Sequence, residues 1–180
     1  MVSTRRRRRL SRTQCSCKGE ILYTVLELSN TLTSHKLPPL PKPALALEVA
    51  ATLSDPPENP NAIDPPPVCA EILSTPVSAA YPTPYLYVTN RNDPNSEGDI
   101  LSIFETGGAG SIRLIKEVRT GLKHLRGIAF DEDGRYLIAG GTFGGGVKMF
   151  EIVDGGKDVK EIAHLKDLER PTGFYWLSTA

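Results

Sequence analysis

The sequence predicts an all-β protein built from repeated four-stranded units, and three observations support this fold class. From residue 20 onward the chain is a series of short apolar runs separated by turn residues, which is typical of strands rather than helices. Three kinds of run recur in the same order. Their spacing is also regular, since Leu86 and Leu137 lie 51 positions apart and Phe104 and Phe150 lie 46 apart.

Each unit can be assigned strand by strand. The runs that we expect to be covered on both faces are ILYTVL (21–26), YLYVTN (85–90) and RYLIAGG (135–141). The more alternating runs that follow them are TLTSHKL (31–37), DILSIFE (99–105) and VKMFEIV (147–153). The third kind comprises ALEVAAT (46–52), IRLIKEV (112–118) and VKEIAHL (159–165).

A fourth strand completes the unit and comes first in it. The segment RGIAFDEDGR (126–135) precedes RYLIAGG through an Asp-Glu-Asp-Gly sequence typical of a hairpin turn. Its expected counterparts are VCAEILS (68–74) and PTGFYWL (171–177). Repeats of this length with four strands each are typical of β-propeller blades.

The count of blades is about two and a half to three. Propellers close with typically four to eight blades, so these cannot close a ring. We therefore expect either assembly from several chains or, more in keeping with the abrupt start, a piece of a longer propeller.

The two irregular segments have different compositions. Residues 1–19 contain six arginines within the first twelve positions and no interleaved aromatic residues, so a disordered basic tail is expected there, with the propeller over 20–180. A nuclear signal or a nucleic-acid arm is the alternative. The proline-rich stretch at about 54–67 is expected to be a loop between blades.

Composition narrows the classes of function. Lys+Arg and Asp+Glu balance at 21 each, so no overall field favours nucleic acid or a membrane. No apolar run approaches the ~18 residues that span a bilayer. The spacing of the three cysteines does not fit a zinc site. We expect a cytoplasmic protein with reduced thiols, no metal and no organic cofactor, and we expect neither nucleic acid nor membrane as a partner.

Strand alignment gives a candidate site. When the second strands are aligned on Leu22, Leu86 and Leu137, the position five residues later holds Glu27, Arg91 and Thr142 in turn. An acid and a guanidinium at the ends of apolar strands are costly unless they are paired or bind a ligand. The alternative is an ion pair between Arg91 and Glu27 that only joins two blades.

Several stretches resemble one known family. They are LYTVLELSNTLTSHKL, AEIL, YLYVTNRND, SEGDILSIFE, VRTGLKHLRGIAFDEDGRYLIAGG and GGGVKMFEIVDGG. They resemble the seven-bladed propeller lactonases, in particular the fungal carboxy-cis,cis-muconate cyclase (3-carboxymuconate lactonizing enzyme) branch, whose relatives include the propeller-type 6-phosphogluconolactonases. The resemblance implies an incomplete seven-bladed β-propeller, all-β, over about residues 20–177.

The resemblance also implies site residues. The acid that closes the Tyr-Thr-Val-Leu-Glu motif corresponds to Glu27, and the arginine of the Asn-Arg motif corresponds to Arg91; both are expected to be catalytic. Arg91, Arg126 of the His-Leu-Arg-Gly motif, and His124 are expected to bind substrate. For His124, a strand-end residue without a role is the alternative.

Three functions are compatible with these residues. The first is cyclisation of a carboxymuconate in aromatic catabolism, where arginines hold carboxylates and an acid or base moves a proton. The second is hydrolysis of a lactone such as 6-phosphogluconolactone. The third is a catalytically inactive propeller fragment or a binding module. The first two predict a small carboxylate or lactone as the partner.

Overall fold

The computed structural model describes residues 12–15, 20–39, 41–58, 62–79 and 81–177. These residues form three four-stranded antiparallel sheets, each made of consecutive strands. Blade 1 contains β1 (Arg12–Cys15), β2 (Ile21–Leu26), β3 (Thr31–Lys36) and β4 (Leu45–Ala51). Blade 2 contains β5 (Val68–Ser74), β6 (Tyr85–Arg91), β7 (Ile100–Thr106) and β8 (Ile112–Arg119). Blade 3 contains β9 (Lys123–Phe130), β10 (Tyr136–Gly144), β11 (Gly146–Val153) and β12 (Asp158–Leu165).

The all-β partial propeller predicted from the sequence is confirmed, and the strand register agrees with the predicted repeat. Leu86 pairs with Phe104 in blade 2, and Leu137 pairs with Phe150 in blade 3. The two pairs therefore occupy the same place in successive sheets. Because each sheet is a meander of neighbouring strands, the repeat could be recognised from local sequence alone.

The predicted hairpin between β9 and β10 shows why these residues turn. Asp131 accepts a hydrogen bond from the Tyr136 backbone N–H through its side chain at 2.8 Å, and its carbonyl accepts one from Gly134 N–H at 3.2 Å. Gly134 has φ of 69°, a left-handed conformation that glycine adopts without steric cost.

The hydrophobic core lies between the sheets in two clusters. One cluster fills the first junction, between blades 1 and 2, and the other fills the second junction, between blades 2 and 3. Alternate residues of β6 serve the two clusters: Leu86 and Val88 face blade 1, whereas Tyr85 and Tyr87 face blade 3. Blade 2 is thus covered on both faces, as its continuous apolar strand predicts.

Two expectations differ from the structure. Residues 12–15 of the predicted disordered tail form β1, because the free edge of β2 offers them an antiparallel partner; the rest of the arginine-rich segment lies outside the described residues. The predicted strand at 171–177 is not a strand, since no described strand lies beside it to share a ladder of hydrogen bonds.

The segment 171–177 instead packs on the outer face of blade 3. A Cβ atom at Gly127 would lie 2.8 Å from Thr172 O, and one at Gly140 would lie 2.7 Å from the Phe174 ring. Trp176 Nε1 donates a hydrogen bond to Ala129 O at 3.4 Å. The absence of side chains at Gly127 and Gly140 thus permits close contact with this segment.

Strand β4 ends at Ala51 and β5 begins at Val68. Among the described residues, no helix is long and apolar enough to cross a membrane.

Candidate functional site

Two strand ends from successive blades meet at the candidate site. Glu27 directly follows β2, and Arg91 is the last residue of β6. Arg91 Nη2 donates to Glu27 Oε1, and the side chains are only 12% and 17% exposed, respectively. The two side chains that the alignment placed at equivalent strand ends therefore contact each other. The contact is also the ion pair of the alternative interpretation, so the pair alone does not distinguish a binding site from a link between blades.

The arginine reaches blade 3 as well. Arg91 Nη1 lies 3.3 Å from His124 Nε2, and His124 Nδ1 lies 2.8 Å from Asn92 Oδ1. A single guanidinium thus contacts residues of blades 1 and 3 while belonging to blade 2. Residues predicted independently from strand ends and from the His-Leu-Arg-Gly motif form one hydrogen-bonded group.

The contacts of His124 determine its protonation state. Asn92 Nδ2 donates to Pro66 O at 3.0 Å, so its Oδ1 faces the imidazole and can only accept. Nδ1 of His124 therefore carries the proton. Nε2 faces a guanidinium, which can only donate, and must be unprotonated. The geometry requires a neutral imidazole.

Electrostatics favour the same neutral form. Burial lowers the pKa of His124 below its ordinary value of 6.5, and the charges of Arg91 and Arg126 lower it further. A neutral histidine with an unprotonated Nε2 can accept a proton near neutral pH. This is the state that a general base needs.

These groups line a cavity of about 550 Å³. Its walls are formed by Glu27, Leu28, Pro65, Pro66, Val68, Arg91, Asn92, His124 and Arg126. All four predicted site residues are therefore on one cavity. Arg126 is exposed and has no ion-pair partner among the residues that the structure describes. Its charge can face an incoming anion.

Irregular pairing between β9 and β10 directs the side chain of Arg126 toward the cavity. Leu125 pairs with Gly141 and Gly127 with Gly140, so Arg126 is the additional residue of a β-bulge. A bulge bends the strand and redirects a side chain, and bulges are frequent near functional sites. The bulge explains how a residue inside a strand reaches the cavity.

One aromatic residue beside the cavity was not foreseen. The ring of Phe143 stacks on the His124 ring with centroids 4.2 Å apart, and Phe143 is 70% exposed. It lies in a second irregularity of the same strand pair, where Thr142 and Phe143 oppose His124 alone. In the sequence, Phe143 lies directly before three consecutive glycines, and no motif marks it as a site residue.

Asn92 and Pro66 were also missed as site residues. Asn92 stood beside Arg91 in the motif that drew attention to this strand end, but its link to the loop before β5 depends on tertiary structure. Thr142, the third aligned position, turns away, and its Oγ1 donates to Pro171 O at 3.0 Å.

A larger cavity of about 750 Å³ lies elsewhere between blades 1 and 2. Its arginine, Arg119, is already paired with Asp93 at 3.2 Å and with Glu97 at 3.6 Å. Glu117 of this cavity accepts hydrogen bonds from Ser54. Because its arginine is already paired and the exposed acids Asp55 and Glu58 also line it, this cavity suits an anionic ligand less well than the smaller one.

Several solved structures resemble the chain. The periplasmic gluconolactonase of Pseudomonas aeruginosa is 18% identical with a TM-score of 0.71, and the match covers 89% of this chain and 40% of that one. A candidate 6-phosphogluconolactonase of Bacteroides fragilis NCTC 9343 is 16% identical with a TM-score of 0.71, covering 90% and 40%. A Lactobacillus plantarum protein is 15% identical with a TM-score of 0.73, covering 90% and 43%. At these identities the likeness shows the fold, and the chain spans about 40% of the length of these structures.

Sequence comparison places the chain in a family. Comparison with curated protein sequences gave no match. The profile of the family described as lactonase, 7-bladed beta-propeller, matches residues 11–176. Because this match covers nearly the whole chain, the protein belongs to the seven-bladed β-propeller lactonase family.

Proposed function

We propose that the cavity at Glu27, Arg91, His124 and Arg126 binds a small anionic lactone or its open acid, and that lactone hydrolysis is the chemistry it supports best. The observation that carries the proposal is a neutral imidazole on the same cavity as two guanidinium groups, one of which it contacts. The P. aeruginosa structure in the same fold is a gluconolactonase by name, which supports this kind of substrate.

The roles follow from the donor set of each residue. A guanidinium binds a carboxylate or phosphate through two parallel N–H groups, so Arg126 is suited to hold the anionic group of the substrate. Arg91 Nη1 makes a long contact of 3.3 Å with His124, so this donor can turn to an anion in the cavity. Both arginines can therefore contribute to anion binding.

Hydrolysis needs a base to activate water. Water oxygen attacks the lactone carbonyl, His124 Nε2 takes the water proton, the ring C–O bond breaks, and the proton passes to the departing alkoxide oxygen. Nε2 becomes available when Arg91 turns from the imidazole to the substrate anion, since their contact is long at 3.3 Å. Glu27 stays paired with Arg91 Nη2 while Nη1 turns, so the guanidinium remains at the cavity.

Cyclisation of a carboxymuconate is the second candidate, favoured by the likeness of the strand motifs to the cyclase branch. There a substrate carboxylate oxygen adds to a carbon–carbon double bond, and the neighbouring carbon receives a proton from Glu27 or a histidine. The same arginines would hold the remaining carboxylates. A catalytically inactive propeller remains the third candidate, because the chain spans about 40% of the solved relatives.

The first test compares turnover of 6-phosphogluconolactone and carboxymuconate by the purified protein with that of Arg126→Ala. Loss of a charge-assisted hydrogen bond costs about 1.5–3 kcal/mol, which corresponds to roughly 10- to 100-fold in kcat/KM or anion affinity. The matched control is Arg113→Ala, which removes an exposed arginine paired with Glu105 outside the cavity. Equal effects of the two variants, or no turnover of either substrate by the unmodified chain, would count against lactone chemistry.

The cellular compartment is also a proposal. The buried Cys69 thiol and the expected reduced state of the other cysteines agree with the cytoplasm. The P. aeruginosa structure is that of a periplasmic protein, so fractionation of cells is needed to decide.

A further inference from the structure

One completely buried acid lies just behind the candidate site without touching its cavity. Asp99 immediately precedes β7 and is 0% exposed. Its Oδ1 accepts a hydrogen bond from Asp93 N–H at 2.9 Å, and its Oδ2 accepts one from Leu125 N–H at 2.8 Å. A buried carboxyl group is retained only where its oxygens are satisfied.

The two donors are the residues that follow two site residues. Asp93 follows Asn92, and Leu125 follows His124. One side chain therefore fastens the end of β6 in blade 2 to the start of β9 in blade 3. The side chains of Asn92 and His124, one residue back along each segment, form the 2.8 Å hydrogen bond that fixes the imidazole.

Both site residues have an unusual backbone conformation. Asn92 has φ of 64° and His124 has φ of 59°. Left-handed conformations are uncommon in residues other than glycine, and they persist where surrounding contacts hold them. Asp99 supplies such a contact immediately after each residue.

We infer that Asp99 is a positioning residue for the candidate site: it sets the separation between Asn92 and His124 and thereby keeps His124 in its Nδ1-protonated tautomer. The two N–H groups require two acceptor oxygens, which a carboxyl group supplies and a carboxamide does not. In Asp99→Asn, one N–H must face an amide NH₂ group, so one of the two segments is released. The inference rests on the proposed function only in assigning His124 the role of general base.

The test is the tautomer of His124, read from long-range ¹⁵N–¹H NMR spectra of the imidazole. The unmodified protein should show one protonated nitrogen, Nδ1. Asp99→Asn should lose this pattern and give signals averaged between the two tautomers, with the pKa of His124 moving up toward its ordinary value. If Asp99→Asn retains the single tautomer, the inference is overturned.

Thr120→Val is the matched control for a general loosening of this junction. Thr120 Oγ1 donates to Asp99 O at 2.9 Å, so the variant weakens the same place without touching the carboxyl group. The His124 spectrum should be unchanged in Thr120→Val. If both variants alter it alike, Asp99 acts only through stability and the inference fails.

Hydrogen exchange of the unmodified protein covers the case in which Asp99→Asn does not fold. Asp93 lies beyond the end of β6, and its amide bonds to Asp99. Slow exchange of this amide is expected, whereas exchange at the rate of an open loop would overturn the inference. The NMR and exchange measurements need no substrate, so they test the inference independently of turnover. Absence of turnover of both lactone and muconate would refute the proposed function and leave the inference about Asp99 unaffected.

Discussion

The first and second junctions repeat the same backbone contact with different side-chain chemistry. In the first junction, Asn30 O accepts hydrogen bonds from Thr52 N–H at 2.8 Å and Thr52 Oγ1 at 3.0 Å. In the second, Asp99 O accepts them from Thr120 N–H at 3.0 Å and Oγ1 at 2.9 Å. Each acceptor residue directly precedes the third strand of its blade, so the two positions are equivalent.

The side chains of these residues meet different backbone groups: both partners of Asn30 lie at the start of blade 2, whereas Asp99 binds one group of its own blade and one of the next. Asn30 Oδ1 accepts from Cys69 N–H at 2.6 Å, and its Nδ2 donates to Pro67 O at 2.9 Å. Asp99 accepts two N–H groups instead. An amide matches one donor and one acceptor, and a carboxylate matches two donors. The residue type at these equivalent positions therefore follows from the backbone groups that face it, and not from the position in the repeat.

The largest expected effect comes from the cores of the two junctions. Phe104 and Phe150 occupy equivalent register positions and are 0% and 2% exposed. Phe104→Ala and Phe150→Ala should each lower the free energy of unfolding by about 3–5 kcal/mol, because each loses apolar burial and leaves a cavity. Urea denaturation followed by circular dichroism measures both. A loss below about 1 kcal/mol in either variant would show that its junction contributes little to stability.

The next effect tests the chemical match at the first junction. In Asn30→Asp, an oxygen replaces the donor that faces Pro67 O, at a cost of about 1–3 kcal/mol at neutral pH. The new carboxyl group should have a folded-state pKa above its unfolded value, because only its protonated form can donate to that carbonyl. Its stabilising contribution is therefore present at low pH and is lost as pH rises through the folded pKa. The control Asn30→Ala should show no such pH dependence in urea denaturation; identical pH profiles would contradict the proposed match.

The threonine pair should give a smaller and nearly parallel effect. Thr52→Val and Thr120→Val each remove one hydroxyl donor, at a net cost of about 1 kcal/mol. Thr120→Val should cost more, because Leu122 N–H also loses the Thr120 Oγ1 acceptor at 3.2 Å. Thermal unfolding of the two variants side by side measures the difference, and a larger loss in Thr52→Val would break the equivalence of the junctions.

The smallest effect is the pH response of the second junction. Burial raises the pKa of Asp99 above 3.8, although backbone N–H groups of Leu125, Asp93 and His124 and the charge of Lys123 oppose the rise. The folded protein therefore holds this proton more tightly than the unfolded chain. The stabilising contribution of Asp99 is fully present below its unfolded pKa and declines as pH rises through its folded value. The gap in unfolding free energy between wild type and Asp99→Asn should narrow over that range; a widening gap would be the opposite result.

The strands and their repeat could be predicted because the information is local. Apolar runs of strand length and the Asp-Glu-Asp-Gly turn lie within single hairpins. The alignment on Leu22 and Leu86 then placed Glu27 and Arg91 at equivalent strand ends. The prediction of a strand at 171–177 was wrong because the required information is not local. Its apolar residues are real, but strand formation depends on a partner that the segment itself does not encode.

The polar part of the site could be predicted only in part. Glu27 and Arg91 stood out because charge at the end of an apolar strand is costly. Asn30 and Asp99 did not, since asparagine and aspartate before a strand are also ordinary turn residues. Their function depends on which backbone groups face them in the folded protein, and no feature of their own segment indicates this.

The contacts of Arg91 with two neighbouring blades make the site sensitive to how the blades are oriented relative to one another. Its guanidinium touches Glu27 on one side and His124 on the other, so three successive repeats meet at one planar group. A small rotation of any repeat against its neighbour must lengthen one of these contacts. Affinity for the proposed anionic ligand should therefore depend on the angle between neighbouring blades. Substitutions in either junction could then alter binding without contacting the cavity.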